Sequence, residues 1–264
     1  MFSVRSFKSS FLAVAAASLL ALPGIAQAAG YTDSFDAAPG AGYTRLFGNE
    51  PGGESRLSNP GEPSLGGRSV RLAMPDVDNG YSRVSIDAPN NTPFGRLRDV
   101  SATFSVYMDS SSAVLNTPYV LLGLDNNGDG HYDFSNESLI IQFSSMISGT
   151  PATNTWLNEG FNGMSDAHVQ VDRGMLAGDS YQPDSTPDRL SDLYDLNYNA
   201  TTKWGDLNVF RIRVAAGYFA AGAGDQPYLA YVDNVNVQAV PEPTSMAALG
   251  LGALALLRKR RRSA

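Results

Sequence analysis

No cysteine occurs in the sequence. Disulfides, thiolate-held metals and thiol nucleophiles are thereby excluded, and the fold must rest on its own apolar core, with or without a bound ion. Histidine is nearly as scarce: His131 and His168 stand alone, which is too few for a triad or a zinc centre. Patterns such as G-x-S-x-G, H-E-x-x-H or a phosphate-cradling glycine loop are missing, as is any internal repeat. No apolar stretch reaches the about 20 residues that a comfortable membrane span needs. Between residues 29 and 239 there is a single lysine, Lys203.

What is present begins at the two ends. Residues 1–28 read as a secretory signal peptide: Arg5 and Lys8 precede an apolar core at 11–22, and Ala26-Gln27-Ala28 forms a small-x-small cleavage site ending at Ala28. The last segment, 240–264, has three parts: V-P-E-P, a run of 14 uncharged residues at 244–257, and five basic residues at 258–262. Pro241 and Pro243 disfavour helix in what precedes each of them, so the hinge stands clear of the body. As a helix the run would be roughly 21 Å long, a short membrane span, and the basic cluster would hold its end on the cytoplasmic side. This order of parts resembles the PEP-CTERM sorting signal of exported proteins of Gram-negative bacteria. The resemblance implies an inner-membrane-anchored precursor, processing at Pro241, Glu242 and Pro243 by an exosortase-type membrane protease, and release to the cell surface or an extracellular matrix. The alternative is an ordinary C-terminal membrane anchor.

The body at 29–239 is strongly acidic. Setting aside Arg5, Lys8 and residues 258–262 leaves 12 of 19 basic residues, and setting aside Glu242 leaves 25 of 26 acidic ones, a net charge near −13. Such a field repels nucleic acid and anionic lipid and attracts divalent cations. Period-2 alternation recurs along the body. Val100, Ala102, Phe104, Val106 and Met108 form one face, with Ser101, Thr103, Ser105 and Tyr107 on the other; Phe210, Ile212 and Val214 alternate with Val209, Arg211 and Arg213. Leu229, Tyr231, Val235 and Val237 read as one face interrupted by Asp233. Further strands are expected at 69–73, 81–86, 119–124, 139–143 and 167–171, separated by Gly, Pro, Asn and Asp clusters. The reading is one all-β domain, a jelly-roll-like two-sheet sandwich. One short helix is expected in a long, polar, irregular insertion at 148–205. Its N-cap would be Thr186, with Pro187 first and Leu190, Leu193 and Tyr194 on one face.

One constellation carries metal chemistry. After the strand at 119–124 come Asp125, Asn127, Asp129 and Asp133 at positions 1, 3, 5 and 9, with Gly130 at position 6 and the carbonyl of His131 at position 7. Oxygen ligands at that spacing suit Ca²⁺, bound at about 2.3–2.6 Å. The loop is similar to those of thrombospondin type 3 repeats, dockerins and EF-hands. Position 12 is Asn136 rather than glutamate, and strands flank the loop rather than helices, so the expected ion is structural. The alternative is a metal-free turn, because Asp, Asn and Gly are turn formers.

For ligand binding the insertion supplies Trp156, Tyr181, Tyr194, Tyr198 and Trp204, whose ring faces could stack on sugars; the alternative for each is core packing. The ending Y-L-A-Y-V-D-N-V-N-V at 228–237 is similar to the last strand of jelly-roll carbohydrate-binding modules. The expected role is therefore a non-catalytic, calcium-stabilised envelope or matrix protein associated with exopolysaccharide. A polysaccharide hydrolase or lyase on the same fold is the alternative. It would need two carboxyls facing one groove. The nearest spacing, Asp192 and Asp195, falls on the expected helix, and the E-x-D-x-x-E signature of laminarinase-like sandwich enzymes is absent. Calcium in the loop predicts that Asp129→Asn lowers the melting temperature in millimolar calcium and changes little in chelator. Identical melting of both proteins in both buffers would remove the metal.

Overall fold

The computed structural model describes residues 30–40, 42–49, 52–75, 80–113, 117–133, 139–144, 152–161, 168–172, 180–181, 190–217 and 227–239; of 139–144, 161, 168–172 and 180–181 it describes the backbone only. The signal-peptide segment and the tail beyond Ala239 lie outside these residues, as do Thr186 and Pro187. No helix among the described residues is long and apolar enough to cross a membrane.

Two antiparallel sheets face each other. Sheet I runs β10 (Trp156–Phe161), β7 (Val100–Met108), β14 (Tyr228–Ala239), β4 (Val70–Met74) and β3 (Glu54–Leu57), with β1 (Tyr31–Asp33) paired to the far half of β14. Sheet II runs β12 (Ser180–Tyr181), β11 (His168–Asp172), β9 (Leu139–Ser144), β8 (Tyr119–Asp125), β13 (Asn208–Gly217), β5 (Tyr81–Asp87) and β2 (Thr44–Asn49), with β6 (Gly95–Arg96) beside β13. Alternation in the strands turns one face of each sheet inward. Phe104, Val106 and Met108 of β7 meet Leu122 of β8 and Ile212 and Val214 of β13 in one continuous core.

The expected sandwich is thus present, with two local corrections. Leu229 and Tyr231 do not share a face with Val235 and Val237. Between Asp233 and Asn236 the pairing with β7 slips by one residue, and Asn234 takes φ 49°. An extra residue in a strand inverts the inside–outside order beyond it. Val235 and Val237 therefore enter the core, while Tyr231 faces away from it and joins no core cluster. Nor is the 148–205 insertion irregular throughout, since it contains β10, which pairs along its whole length with β7. The short helix α1 (Leu190–Tyr194) buries Leu190 and Leu193 against the end of the core, together with a 3-10 turn at Trp204–Asp206.

Near the bulge, Asp33 and Arg45 form a buried ion pair, with side chains 4% and 7% exposed. Arg45 Nε donates to Asp33 Oδ2 at 2.9 Å, the Tyr31 hydroxyl donates to the same oxygen at 2.7 Å, and the Phe35 N–H donates to Oδ1 at 2.7 Å. Removing one partner leaves the other charge buried, so Arg45→Ala should cost roughly 3–5 kcal/mol in chemical denaturation. The double change Asp33→Asn, Arg45→Met should recover most of that loss. A cost below about 1 kcal/mol, the value of an exposed pair, would contradict this role.

Candidate functional site on the outer face of sheet I

The outward positions of sheet I line up across five strands. Trp156 on β10 lies opposite Tyr107 on β7, Tyr107 opposite Tyr231 on β14, Tyr231 opposite Arg71 on β4, and Arg71 opposite Arg56 on β3. At about 4.8 Å between strands the row spans roughly 19 Å. Trp156 and Tyr107 are partly exposed, with ring centroids 5.6 Å apart at 55°; Tyr107 and Tyr231 meet edge-on at 6.1 Å. The Tyr107 hydroxyl donates to Asn154 Oδ1 at 3.3 Å, and the Ser110 N–H reaches the same oxygen at 3.1 Å, which orients the ring. Tyr231 is only 4% exposed; burial, then the nearby Glu62 carboxylate, pushes its hydroxyl above its ordinary pKa, so it stays a neutral donor.

Charges close the row. Arg56 grips Glu62 with two bonds of 2.7 Å and reaches Glu54 at 2.6 Å, while Arg71 also pairs with Glu54. The Arg56 bonds hold the Glu62 carboxyl below its usual range, and the Glu62 bonds raise Arg56. Beside the row an open cleft of about 330 Å³ is lined by Glu54, Arg71, Ala73, Pro75, Ser111 and Leu229, among others. On the other side Ser105 donates to Asn158 at 3.1 Å. Flat apolar faces flanked by fixed donors and acceptors suit a ligand that is apolar on its ring faces and polar at its rim, as a sugar is.

Of the five aromatics expected to bind ligand, one, Trp156, belongs to this face, and Tyr181, in β12, is described by its backbone alone. Trp204 is 3% exposed and packs in the core against Tyr198, with ring centroids 5.0 Å apart, so its ring is closed to any ligand. Tyr194 and Tyr198 lean on the same core, and burial drives the Tyr194 hydroxyl well above its ordinary pKa. Tyr107, Tyr231 and Arg71 escaped the sequence reading. Each sits in a strand whose alternation was legible, but nothing in the sequence places those strands side by side.

The 125–133 loop is wound tightly. Asp125 Oδ1 accepts the Gly128 N–H at 2.6 Å and Oδ2 the Gly130 N–H at 3.0 Å; Asn127 Oδ1 accepts the Asp129 N–H at 2.7 Å. Gly128 and Gly130 adopt φ 81° and 84°. His131 is exposed, with Nδ1 2.7 Å from Asp129 Oδ1. Among the described residues no three His, Asp or Glu side chains, Asp133 included, stand close enough to share an ion. Asp195 pairs with Lys203 at 3.2 Å on an exposed helix end, and His168 is described by its backbone alone, in β11 opposite Ser144.

A family model described as the PEP-CTERM protein-sorting motif matches residues 239–262. The chain is thus an exported protein, made as a membrane-anchored precursor and routed to the cell surface. No match was found among the curated proteins. Several solved structures are similar. The family 11 carbohydrate-binding module from Clostridium thermocellum is 14% identical over 80% of this chain and 96% of its own, with a TM-score of 0.43. The xylan-binding domain from Paenibacillus barcinonensis is 13% identical over 79% and 92%, at 0.37. A glycoside hydrolase domain from Streptococcus pneumoniae is 12% identical over 74% and 21%, at 0.33.

Glu159, behind Trp156 on the inward side of edge strand β10, is half-buried, and burial raises its carboxyl pKa. A raised folded-state value means that stability is lost as pH rises through it. Glu159→Gln should therefore raise the melting temperature at pH 7 and make no difference below about pH 4, where the acid is protonated in both states. A gain of equal size at both pH values would point to packing instead.

Proposed function

We propose that this protein is a surface-displayed, non-catalytic glycan-binding sandwich whose ligand lies across Trp156 and Tyr107, with the buried Tyr231 supporting Tyr107 from the side. The carrying observation is the lateral register of the partly exposed Trp156 and Tyr107 on the outer face of sheet I, backed by the buried Tyr231 and ending at Arg71 and the open cleft. Export to the cell surface supports this reading, because exopolysaccharide is the polymer met there. The non-catalytic part rests on the carboxylates of this face. Glycoside hydrolysis needs one carboxyl held protonated and a second ionised across a groove. Glu54 and Glu62 are both gripped by arginines, and the Glu62 pKa is lowered rather than raised. Calcium in the 125–133 loop belongs to the proposal as a stabiliser. Its support is the ligand spacing, the two left-handed glycines and the Asp125 bond to Gly130, which curls the loop around its oxygens.

Affinity electrophoresis in gels containing xylan, mixed-linkage β-glucan or galactomannan tests the site. At least one of these neutral polymers should retard the protein. Trp156→Ala should weaken retention by about 1–2 kcal/mol, roughly five- to thirtyfold, with unchanged melting temperature. Trp156→Phe should keep most of it. The site is wrong if no polymer retards the protein, or if Trp156→Ala and Tyr107→Ala both bind normally. Release of reducing ends from a retained polymer would restore the hydrolase reading.

A further inference from the structure

The outer face of sheet II has a different chemistry. Its outward positions on β5 are Tyr81, Arg83, Ser85 and Asp87; on β13 they are Arg211, Arg213 and Ala215. Arg211 is neutralised by a two-bond pair with Asp87, at 2.5 and 2.6 Å, and its guanidinium lies 4.7 Å from the Tyr132 ring centroid. Among the described residues no carboxylate neutralises Arg213 or Arg83. Arg213 is 4% exposed and donates, among the described residues, to neutral oxygens, Ser85 Oγ at 3.1 Å and the Tyr81 hydroxyl at 3.4 Å. Arg83 lies 5.3 Å from the Tyr81 ring centroid. Among the described residues neither arginine has a carboxylate within ion-pair distance.

The register makes Arg83 and Arg213 diagonal neighbours on adjacent strands, about 7–8 Å apart at the backbone. Two like charges so close, one of them nearly removed from water, are costly without an anion between them. In a body with 25 acids against 12 basic residues, this placement is the reverse of what chance supplies. The face is also shaped for it. Gly48 on β2 stands opposite Arg83, and a Cβ there would sit 2.5 Å from Arg83 Nε, so the missing side chain lets the guanidinium lie flat across β2. Along β2 the outward side is open, with Thr44 exposed and Leu46 44% exposed, which gives an approach to Arg83 from that edge.

We propose that Arg83, backed by the buried charge of Arg213, forms a second binding site, which takes the carboxylate groups of an acidic, uronate-bearing polysaccharide approaching over β2. The planar fork of the Arg83 guanidinium matches a carboxylate in a two-bond arrangement, and the buried charge of Arg213 beside it adds to the attraction. The net negative charge does not forbid it, because screening confines the remote acids to about 8 Å in physiological salt. The site does not depend on the aromatic row of sheet I. A cell-surface protein with both would bridge a neutral and an acidic glycan.

The test uses the full chain in detergent, in gels containing polygalacturonate or alginate, with the methyl-esterified form of polygalacturonate as the uncharged control. Retention on an acidic polymer, and none on the ester, is expected. Arg83→Gln should weaken it about tenfold or more, the loss of one charge-assisted bond. Gly48→Ala, which keeps every charge but displaces Arg83, should weaken it also. Trp156→Ala should leave it unchanged while lowering neutral-glycan retention, so the two sites can fail separately. Equal retention on the ester, or no retention on either acid, would overturn the proposal. So would normal binding by both Arg83→Gln and Gly48→Ala. Equal retention by double-stranded DNA would replace the acidic glycan with a general polyanion and overturn it likewise.

Discussion

Asp233 is fully buried in the last strand, where β14 slips by one residue against β7. Its Oδ1 takes the Asn234 N–H at 2.7 Å and its Oδ2 takes the Leu65 N–H at 2.8 Å from the loop after β3. Burial raises its carboxyl pKa, and the neighbouring Asp36 and Asp33 add to the effect. One of these bonds closes the turn of the bulge within β14, and the other ties the loop after β3 to it. Beyond the bulge β14 receives β1, with Asp33 opposite Val235, and the Asp33–Arg45 pair then ties β1 to β2 of the other sheet. Closure of the sandwich at that end thus runs through one carboxylate and one inverted strand.

The same bulge decides which side chains turn away from the core. Before it, the odd-numbered residues Leu229, Tyr231 and Asp233 point outward; after it, Val235 and Val237 point inward. Without the extra residue, Tyr231 could be outward only with two valines exposed beyond it. The aromatic row and the sealed far end of the core are therefore two consequences of one local irregularity.

The two outer faces divide the charged chemistry between them. On sheet I the arginines are spent on Glu54 and Glu62, which leaves an electrically balanced rim beside aromatic rings. On sheet II one carboxylate, Asp87, faces three arginines on the two adjacent strands β5 and β13. Residue counts cannot distinguish these situations, since pairing depends on which strands lie side by side.

Much of the fold was legible from the sequence. Alternation in β7 and β13 is a local property of the chain, as are the sorting motif at 239–262 and the glycine-pinned winding of the 125–133 loop. Helix α1 was legible too, because Leu190 and Leu193 lie three residues apart and Leu190 and Tyr194 four. Trp204 and Trp156 show the limit. Both are tryptophans in one polar stretch, yet the first fills the end of the core and the second flanks the outer face at an edge strand. Composition, alternation and terminal motifs determined an exported all-β body, because each acts over a few neighbouring residues. Only the tertiary structure decided that Trp156, Tyr107 and Tyr231 meet and that Arg83 and Arg213 stand as diagonal neighbours on one face, because strand order and register are set by the packing of the whole core.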